Sequence, residues 1–454
     1  MAARWRADQN PSVARNDGAA RTDALDPDRR RPVLVVRVGR SALLNHGALG
    51  AVRSLGRLGV PVYALTEDRY APVGASRHLA GRFVWPVTGG EDPEALGAAL
   101  RGFCARIGRP AIALPTSDEA AVLLAGQRAR LADVLIQPEV DPALPARLVD
   151  KYAMYELCAR HGTPTPRTEV AAGARELAEA VDRLGLPVVV KNADLAGRLS
   201  GPVVATTTLL STTAQVDALA AALERYAGVK RLLVQEYVPV DRDAARRAPD
   251  WFAHVYCYSD DRPPLVFTGR KLHNWPPDGG VTARGVALPN PALAASAAEF
   301  CRRIGYRGIG DMDWRHDPRD GVLKLVDFNP RLGAQAQVFR TTAGVDLARA
   351  LHLDLTGRPV PRGTQIDGRE LVVEHLDAAA SVVLWRRRAD GADAAAGGQL
   401  RAEVRRREPA WFAWDDPLPF VVVTASFIRN ILLKSVRRAG SAAARRLSPR
   451  TPRP

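Results

Sequence analysis

Residues 305–335 read GYRGIGDMDWRHDPRDGVLKLVDFNPRLGAQ, and this stretch decides the fold. The turn cluster HDPRDG separates two segments with strand character, so the stretch predicts a β-hairpin. The hairpin would bring Asp313 opposite Asp327 and Asn329 on the next strand. Three converging oxygen ligands suit a hard divalent cation, usually Mg²⁺ held together with nucleotide phosphates. Arg331, two residues further along an extended chain, could clamp an anion.

An alternative interpretation is a surface hairpin whose acidic side chains only face water. Because turns favour aspartate, we favour this interpretation for Asp311, Asp317 and Asp320, and we expect Asp311 to point away from the site. The Asp-Phe-Asn-Pro-Arg run at 327–331 differs, because it replaces strand-forming residues with liganding groups. This run therefore favours a binding function.

The composition describes an ordinary globular protein with two or three domains. The chain has 454 residues, of which 46% are hydrophobic and 25% charged. Its four cysteines show no metal-ligand or disulfide spacing, which fits a reducing cytosol and predicts a cytoplasmic location. No secretory signal and no apolar run long enough to span a membrane is evident.

The net charge of +15 belongs mainly to the C-terminal tail. From Pro417 to the end the sequence contains eight Lys and Arg residues and no acid. No nucleic-acid-binding motif and no basic patch interleaved with aromatic residues occurs elsewhere. We therefore predict no nucleic-acid partner.

The element pattern divides the chain into four regions. Residues 1–31 are polar and without periodicity, which predicts a disordered leader. Residues 32–149 alternate strands with helices, a pattern typical of a parallel α/β sheet, and Thr116 or Ser117 could cap a helix there. Residues 150–358 form a second unit, and residues 359–454 form a basic C-terminal extension.

Within the second unit, three lysines precede the hairpin. Lys151 opens a helix, Lys191 ends a β-branched strand, and Lys271 ends a later strand. Any one of them alone would more often be a solvated surface residue. Together with the hairpin carboxylates they predict a nucleotide site in which lysines neutralise phosphate charge. The Gln-Glu-Tyr-Val strand at 235–238 would supply backbone groups to an adenine edge.

Several runs in this order resemble the ATP-grasp superfamily, in particular its carboxylate–amine ligases of the D-aspartate ligase and carbamoyl-phosphate-synthase kind. The resemblance covers about residues 34–357 and rests on SLGRLGVPVYAL, LPTSDEA, DKYAMYELCARHGTPTP, PVVVKNAD, LLVQEYVP, GRKLHNWPPDGG and the hairpin. It implies a mixed α/β and α+β fold. A Rossmann-like pre-ATP-grasp domain would occupy residues 32–149, followed by two lobes at 150–239 and 240–358 that grip ATP.

The resemblance also implies a role for each marked residue. The implied phosphate-binding lysines are Lys151 and Lys191, the adenine contacts are Gln235, Glu236 and Val238, the ribose contact is Asp241 or Asp243 (we favour Asp243), the catalytic groups are Lys271 and Arg331, and the metal ligands are Asp313, Asp327 and Asn329. Gln235 and the VDRD run at 240–243 depart from the usual family pattern, which carries glutamate at these places.

The function implied is ATP- and Mg²⁺- (or Mn²⁺-) dependent activation of a small-molecule carboxylate as an acyl phosphate, which an amine then attacks. A kinase or carboxylase using the same phosphoryl chemistry is one alternative, and an ATP-binding regulatory module without turnover is another. Arg284 is a candidate for binding a substrate carboxylate. A homodimer contact through the extension is a further expectation.

The end of the extension has helical amphipathicity. One side carries Ser426, Asn430, Lys434 and Arg437, and the other side carries Val423, Phe427, Ile431 and Leu432. This pattern suits a helix on an anionic membrane surface. The alternative, which we favour slightly, is a helix packed on the protein's own core.

Overall fold

The structure, a computed structural model, describes residues 25–39, 45–193, 204, 207–225, 231–239, 250–276, 280–389 and 404–430. The strands are β1 Val33–Val36, β2 Val62–Thr66, β3 Gly81–Val84, β4 Ala111–Pro115, β5 Leu135–Ile136, β6 Thr168–Ala171, β7 Val188–Asn192, β8 Thr208–Leu210, β9 Leu232–Glu236, β10 Asp250–Cys257, β11 Leu265–Trp275, β12 Val281–Ala287, β13 Gly308–His316, β14 Leu323–Asn329, β15 Arg369–Val372 and β16 Arg406–Pro409. The helices are α1 His46–Gly56, α2 Pro93–Ile107, α3 Asp118–Gly126, α4 Arg128–Leu131, α5 Leu144–Val149, α6 Lys151–Arg160, α7 Ala174–Leu184, α8 Thr213–Arg225, α9 Pro291–Arg303, α10 Leu347–Leu355 and α11 Glu374–Ala389.

The first sheet is the predicted parallel α/β sheet, with strand order β3-β2-β1-β4-β5. The order reverses between β1 and β4, and open α/β sheets bind ligands at the carboxyl ends of strands at such a point. Helix α3 begins at this edge, where the Ser117 hydroxyl accepts a hydrogen bond from the Ala120 amide at 3.3 Å. The predicted cap is confirmed.

The second sheet is antiparallel and carries the predicted phosphate lysine of β7. Its strand order is β6-β9-β7-β8. Helices α7 and α8 pack together on it, with Leu177, Val188 and Leu223 in the shared core. The amphipathic sequences of these helices require such a cover, because their apolar faces would otherwise meet water.

The third sheet has seven strands in the order β14-β13-β10-β11-β12-β15-β16, and the predicted hairpin forms one edge. The register pairs Asp313 with Asp327 and Asp311 with Asn329, so the predicted hairpin and its opposed carboxylates are confirmed. A register shift between Asp313 and Trp314 interrupts the regular pairing. Side chains paired across adjacent strands share a face, so these four polar residues lie on one side of the sheet.

The two faces of the third sheet are both covered. Met312, Trp314 and Phe328 belong to a core under α6 and α9. The opposite face, which carries the hairpin carboxylates, also presents Phe252 and Phe267, and these pack with Phe339 of the segment after β14. Because this segment crosses the face of the sheet, it connects the hairpin to the first domain.

The folded part of the chain includes residues from the predicted leader and from the predicted C-terminal extension. Leu25 is buried and Asp26 accepts a hydrogen bond from Arg358 at 2.7 Å, so the ordered chain includes part of the predicted leader. From the predicted extension, β15 and β16 complete the third sheet. Asp416 then joins α1, where it accepts a hydrogen bond from Arg53 Nε at 2.9 Å.

The end of the described chain is helical over residues 418–430. Val423 is buried, and the Phe427 ring lies 5.2 Å from the His375 ring of α11. These two apolar residues therefore pack on the protein itself, as the favoured alternative predicted, and are not available to a membrane. Of the six other predicted positions, Ser426 and Asn430 are in the described helix, and Ile431, Leu432, Lys434 and Arg437 lie outside the described residues. No helix in the described ranges is both long and apolar enough to cross a membrane.

Candidate active site

Two of the three predicted lysines pair with the hairpin carboxylates. Lys151, at the start of α6, forms an ion pair with Asp327. Lys271, on β11, places its Nζ 2.8 Å from Asp313 Oδ1. The Asp150 side chain caps α6 through the amides of the second and third helical residues, which holds Lys151 at the helix start. Two different lobes thus meet at one edge of the hairpin.

The third lysine, Lys191, lies on β7 beside the same group. Its Nζ donates to Gln235 Oε1 at 3.2 Å. Burial lowers the pKa of Lys191 to about 8; Asp327 opposes the shift, and the nearby cations Lys151 and Arg315 add to it. A cation that is destabilised in this way is a favourable partner for an incoming anion.

The hairpin carboxylates are also buried close to one another, so their negative charges repel. Burial raises the pKa of Asp313, and the neighbouring charges of Asp311 and Asp327 add to the rise, while Lys271 opposes it. Burial alone would lower the pKa of Lys271, but Asp313 raises it above its usual value. Carboxylates that repel one another are stabilised by a cation placed between them.

The residues fit the magnesium site that the sequence predicts. Asp313 and Asp327 face each other across the hairpin, and both supply oxygen donors. Asn329 uses its amide nitrogen to reach Asp311 O at 3.3 Å, so its side-chain oxygen is not the atom in that contact. Among the described residues there is no group of three His, Cys, Asp or Glu side chains that could hold a metal ion. One or two carboxylates together with substrate phosphates and water are the usual ligands of Mg²⁺.

The expectation for Asp311 is wrong. Instead of pointing away, its buried carboxylate accepts a hydrogen bond from Arg331 Nη1 at 2.7 Å and lies 3.1 Å from His254 Nε2. Burial alone would raise the pKa of Asp311, but His254 and Arg331 hold it well below its usual value. The reason is position: Asp311 is a strand residue paired with Asn329, not a turn residue.

Arg331 is held between the hairpin and the first domain. Besides Asp311, its Nε lies 3.4 Å from Asp118 Oδ1 at the start of α3. The next residue, Leu332, donates its amide to Pro115 O at 3.0 Å. These contacts dock the end of the hairpin onto the ligand-binding edge of the first sheet. The shortest contacts in these two ion pairs are made by Nε and Nη1.

Close approach at this point requires a glycine. A Cβ built on Gly333 would lie 2.3 Å from His254 Cε1 and 2.6 Å from Asp311 Cγ. Both neighbours are buried, so neither can move aside easily. The glycine in Asn-Pro-Arg-Leu-Gly therefore allows the segment to pass over the His254–Asp311 pair.

The predicted adenine contacts lie on β9 and just after it. The Gln235 side chain bridges Lys191 and Thr168, and Val238 is buried. The Glu236 carboxylate is also buried, and it lies 3.2 Å from Arg167 Nε and 3.3 Å from Lys324 Nζ. Ion pairing thus engages the Glu236 side chain, while its backbone remains on β9.

The predictions that Asp317 and Asp320 face water have different outcomes. Asp317 does not face water: its side chain is buried and lies 2.6 Å from Lys324 Nζ, whereas Asp320 stays about half exposed. Asp317 is drawn inward because Lys324 and Arg319 surround it with positive charge. Asp241 and Asp243, the predicted ribose contacts, lie outside the described residues.

Arg284, the candidate for a substrate carboxylate, pairs with an acid of α11. The loop expected around it is largely a hairpin of β11 and β12. Its Nη2 lies 2.5 Å from Asp377 Oδ2 of α11, and His273 Nδ1 lies 2.8 Å from the same carboxylate. Arg284 therefore joins the sheet to α11.

Sequence reasoning did not identify three residues that contact the site: His254, Asp118 as the partner of Arg331, and Arg315, whose Nε lies 2.6 Å from Asp250 Oδ1. For His254 a signal existed, since a polar residue in the middle of the apolar strand WFAHVYCYS requires a buried partner. Asp118 and Glu119 stand at a strand-to-helix junction, where a helix cap is the default and a substrate contact is possible, but the pairing of Asp118 with Arg331 had no signal because the two residues are more than two hundred positions apart in sequence.

Comparison with known proteins agrees with this architecture. No family model matches the chain. The chain is 25% identical over 241 residues to the D-aspartate ligase of Enterococcus faecium (strain Aus0004), a match that spans 51% of this chain and only 55% of that protein.

Solved structures match over more of the chain. The N5-carboxyaminoimidazole synthetase of Staphylococcus aureus complexed with ADP has a TM-score of 0.55 at 12% identity, covering 74% of this chain and 80% of that one. The biotin carboxylase of Campylobacter jejuni complexed with a β-γ-ATP ligand has a TM-score of 0.56 at 13% identity, covering 75% and 74%. The L-amino acid ligase of Bacillus licheniformis has a TM-score of 0.52 at 13% identity, covering 72% and 74%.

These similarities and the three-sheet architecture define the class of protein. The chain has the ATP-grasp fold, preceded by a Rossmann-like domain, as the sequence predicted. The relatives with this similarity include a D-aspartate ligase and an L-amino acid ligase.

Proposed function

We propose that this protein is an ATP- and Mg²⁺-dependent ligase that joins a small-molecule carboxylate to an amine through an acyl phosphate. The observation that carries the proposal is the meeting of Lys151, Lys191 and Lys271 with Asp313 and Asp327 at one edge of the hairpin. This charge pattern complements a nucleotide phosphate chain with its divalent cation.

Binding of ATP would exchange the partners of these groups. Without a nucleotide, Lys151 and Lys271 neutralise the two carboxylates. With it, the lysines would turn to phosphate oxygens, and Asp313, Asp327 and the Asn329 oxygen would hold Mg²⁺. When bound, Mg²⁺ or Mn²⁺ supplies charge neutralisation for the transferring phosphoryl group. Gln235, Glu236 and Val238 line the adenine end, and Asp243 is our candidate for the ribose.

The chemistry then needs positioning more than covalent participation by the protein. A carboxylate oxygen of the substrate attacks the γ-phosphorus, and the bond from that phosphorus to the ADP oxygen breaks. The amine nitrogen next attacks the acyl carbon, inorganic phosphate leaves, and the nitrogen releases its proton. In our assignment Lys271 neutralises charge on the transferring phosphoryl group. Arg331, anchored by Asp311 and Asp118, binds the acyl phosphate.

The test is acceptor-dependent turnover by the purified full chain. MgATP would be mixed with pooled carboxylates and amino acids, with ADP release followed by a coupled assay and products by mass spectrometry. A new amide mass together with ADP supports the ligase. ADP release that depends on bicarbonate indicates a carboxylase, a stable phosphorylated product indicates a kinase, and tight ATP binding without ADP indicates a regulatory module.

Site-directed variants make this test specific. We expect Lys191→Ala to lower ATP affinity and turnover by at least tenfold, because it removes a cation that faces the phosphates. Arg175→Ala is the control, because the Arg175 side chain is 80% exposed on α7, where its ion partner is Glu179. Circular dichroism would verify that both variants fold. Turnover that survives Lys191→Ala unchanged would contradict the site assignment.

Three finer expectations belong with this proposal. A cytoplasmic location and a homodimer remain predictions, and light scattering of the purified chain would measure the second. Contact with a membrane surface through residues 431–454 also remains a prediction. Co-sedimentation with anionic liposomes, with and without those residues, would decide it.

A further inference from the structure

A large cavity lies on the face of the third sheet that carries the site, but at the other end of that sheet. Its volume is about 640 Å³, which is within the range of small-molecule binding sites. The walls come from α1, from the segment after β14, and from β15, β16 and the residues that follow. Strand β16 is the edge opposite to the hairpin strand β14, so this cavity is distinct from the nucleotide site.

Arginines dominate the lining, and we name it the cationic cavity. Its arginines are Arg53, Arg57, Arg340, Arg369, Arg406 and Arg407, and its acids are Asp346, Glu408 and Asp415. Six positive charges against three negative charges leave an excess of three positive charges in the lining. Such an excess in a concave, partly desolvated space attracts anions.

Most of these arginines have carboxylate partners in or near the wall. Arg53 pairs with Asp416, Arg57 pairs with Asp415, and Arg407 pairs with Glu370. Arg369 and Arg406 share Glu408, at 2.8 and 3.3 Å. These carboxylates therefore neutralise five of the six arginines that line the cavity.

Arg340 is the exception. It forms no ion pair with any described residue, and its buried Nε has no hydrogen-bond partner among them. Two further buried donors in the lining, Arg369 Nε and Gln337 Nε2, likewise have no acceptor within the described part of the chain. A buried donor without an acceptor destabilises the fold, because it has lost its hydrogen bonds to water. All three donors belong to residues that line the cavity, and acceptor atoms of a ligand that enters it would satisfy them.

The neighbouring charges point in the same direction. Burial lowers the pKa of Arg369; Glu408 opposes the shift, and Arg340 and Arg406 add to it. Cations that disfavour one another in this way gain when an anion enters between them. The ligand should be small enough for the cavity, should be negatively charged, and should present several acceptor oxygens to the donors that lack partners.

We propose that the cationic cavity binds a small polyanion whose carboxylate or phosphate oxygens accept hydrogen bonds from Arg340, Arg369 and Gln337. The site is independent of the proposed ligase activity. It is built from both ends of the chain: α1 belongs to the first domain, and Arg406 and Arg407 belong to the C-terminal strand. Bound ligand would therefore hold the first domain and the C-terminal strands together.

Isothermal titration calorimetry on the full chain tests the proposal. Orthophosphate and citrate would be titrated separately at constant ionic strength maintained with sodium chloride. We expect one site per chain, with binding by at least one of the two anions. Tighter binding of phosphate assigns the ligand to phosphate compounds, and tighter binding of citrate assigns it to polycarboxylates.

Variants locate the binding. We expect Arg340→Gln to lower the affinity for the anion at least tenfold. Arg175→Gln, the exposed control on α7, should leave that affinity unchanged. Lys191→Ala should also leave it unchanged, which separates the cavity from the nucleotide site. Because Arg340→Gln removes a repelling charge, its Tm without anion should equal or exceed that of the parent chain. Equal affinities of the parent and Arg340→Gln, or no heat beyond that of matched chloride, would overturn the proposal.

Discussion

Lys191 combines burial with nearby positive charge, and its pKa of about 8 makes nucleotide binding sensitive to pH. Below that pH the ammonium carries its proton and can meet a phosphate. Above it, ATP binding must first restore the proton. We therefore expect the dissociation constant for MgATP to be constant from pH 6.5 to 7.5 and to rise by up to about tenfold per pH unit above pH 8.

Calorimetric titration of MgATP from pH 6.5 to 9.5 measures this dependence. Lys191→Arg is the matched variant, because a guanidinium stays protonated throughout that range. Its affinity should vary little with pH. A flat profile for the parent chain would show that Lys191 does not face the phosphates.

Asp311 is a buried carboxylate that the Arg331 and His254 side chains both contact. Removing its charge by Asp311→Asn leaves Arg331 and His254 buried without their carboxylate. We expect the free energy of unfolding at pH 7 to fall by about 3–5 kcal/mol, as for other buried pairs that lose one partner. Urea denaturation followed by circular dichroism measures it. Asp261→Asn, at a side chain that is 97% exposed, should change it by less than about 0.5 kcal/mol.

The Asp311 carboxylate also makes the stability of the folded protein sensitive to acid. Because the pKa of Asp311 is lower in the folded protein than in the unfolded chain, its stabilising contribution is present above the unfolded value of about 3.9. It is lost as the pH falls toward the folded value. The stability difference between the parent and Asp311→Asn should therefore shrink below pH 4. A difference that stays constant down to pH 2 would contradict the pairing.

At the scale of elements, the hairpin of β13 and β14 is the feature that sequence reasoning recovers best. Its two strands are joined by a short turn, so the pairing is local, and the turn residues and the alternation both indicate it. The register shift at Asp313 and the inward position of Asp311 were not predictable. The position of Asp311 depends on His254 of β10, a strand that reaches the hairpin only after a long connection.

The segment after β14 depends on one glycine for its path. Gly333→Ala would place a methyl group against His254 and Asp311. We expect a loss of about 1–3 kcal/mol in the free energy of unfolding, because the buried pair must move. Gly102→Ala is the control, since a Cβ there meets nothing within 4 Å on helix α2. This substitution should stabilise the protein by about 0.5–1 kcal/mol, and equal effects of the two would contradict the argument.

At the scale of the whole molecule, a C-terminal segment closes the fold onto α1. Asp416 is 1% exposed and accepts hydrogen bonds from Arg53, the Ser76 hydroxyl and the Arg77 amide. Its neighbour Asp415 is 46% exposed and pairs with Arg57 and His78. These contacts join the two ends of the chain.

The two adjacent aspartates provide a matched test. Asp416→Asn should lower the free energy of unfolding by about 3–5 kcal/mol, because it leaves Arg53 buried without its counter-charge. Asp415→Asn should cost no more than about 1 kcal/mol, since water screens that pair. Urea denaturation of both variants measures the difference. Similar losses would mean that the C-terminal segment does not close the fold through Asp416.

The sequence by itself determined the parallel first sheet, the hairpin and the identity of the lysines and carboxylates at the candidate site. These features rest on local periodicity, turn chemistry and residue type, all of which act within short segments. The tertiary structure alone decided that Asp311 anchors Arg331, that Asp118 completes this contact, and that β15 and β16 join the main sheet. The cationic cavity also depends on the tertiary structure. Its walls α1 and β16 are separated by about 350 residues and meet only when the chain is folded. Pairing across such distances depends on which partners the packed core brings together, and no local pattern encodes that choice.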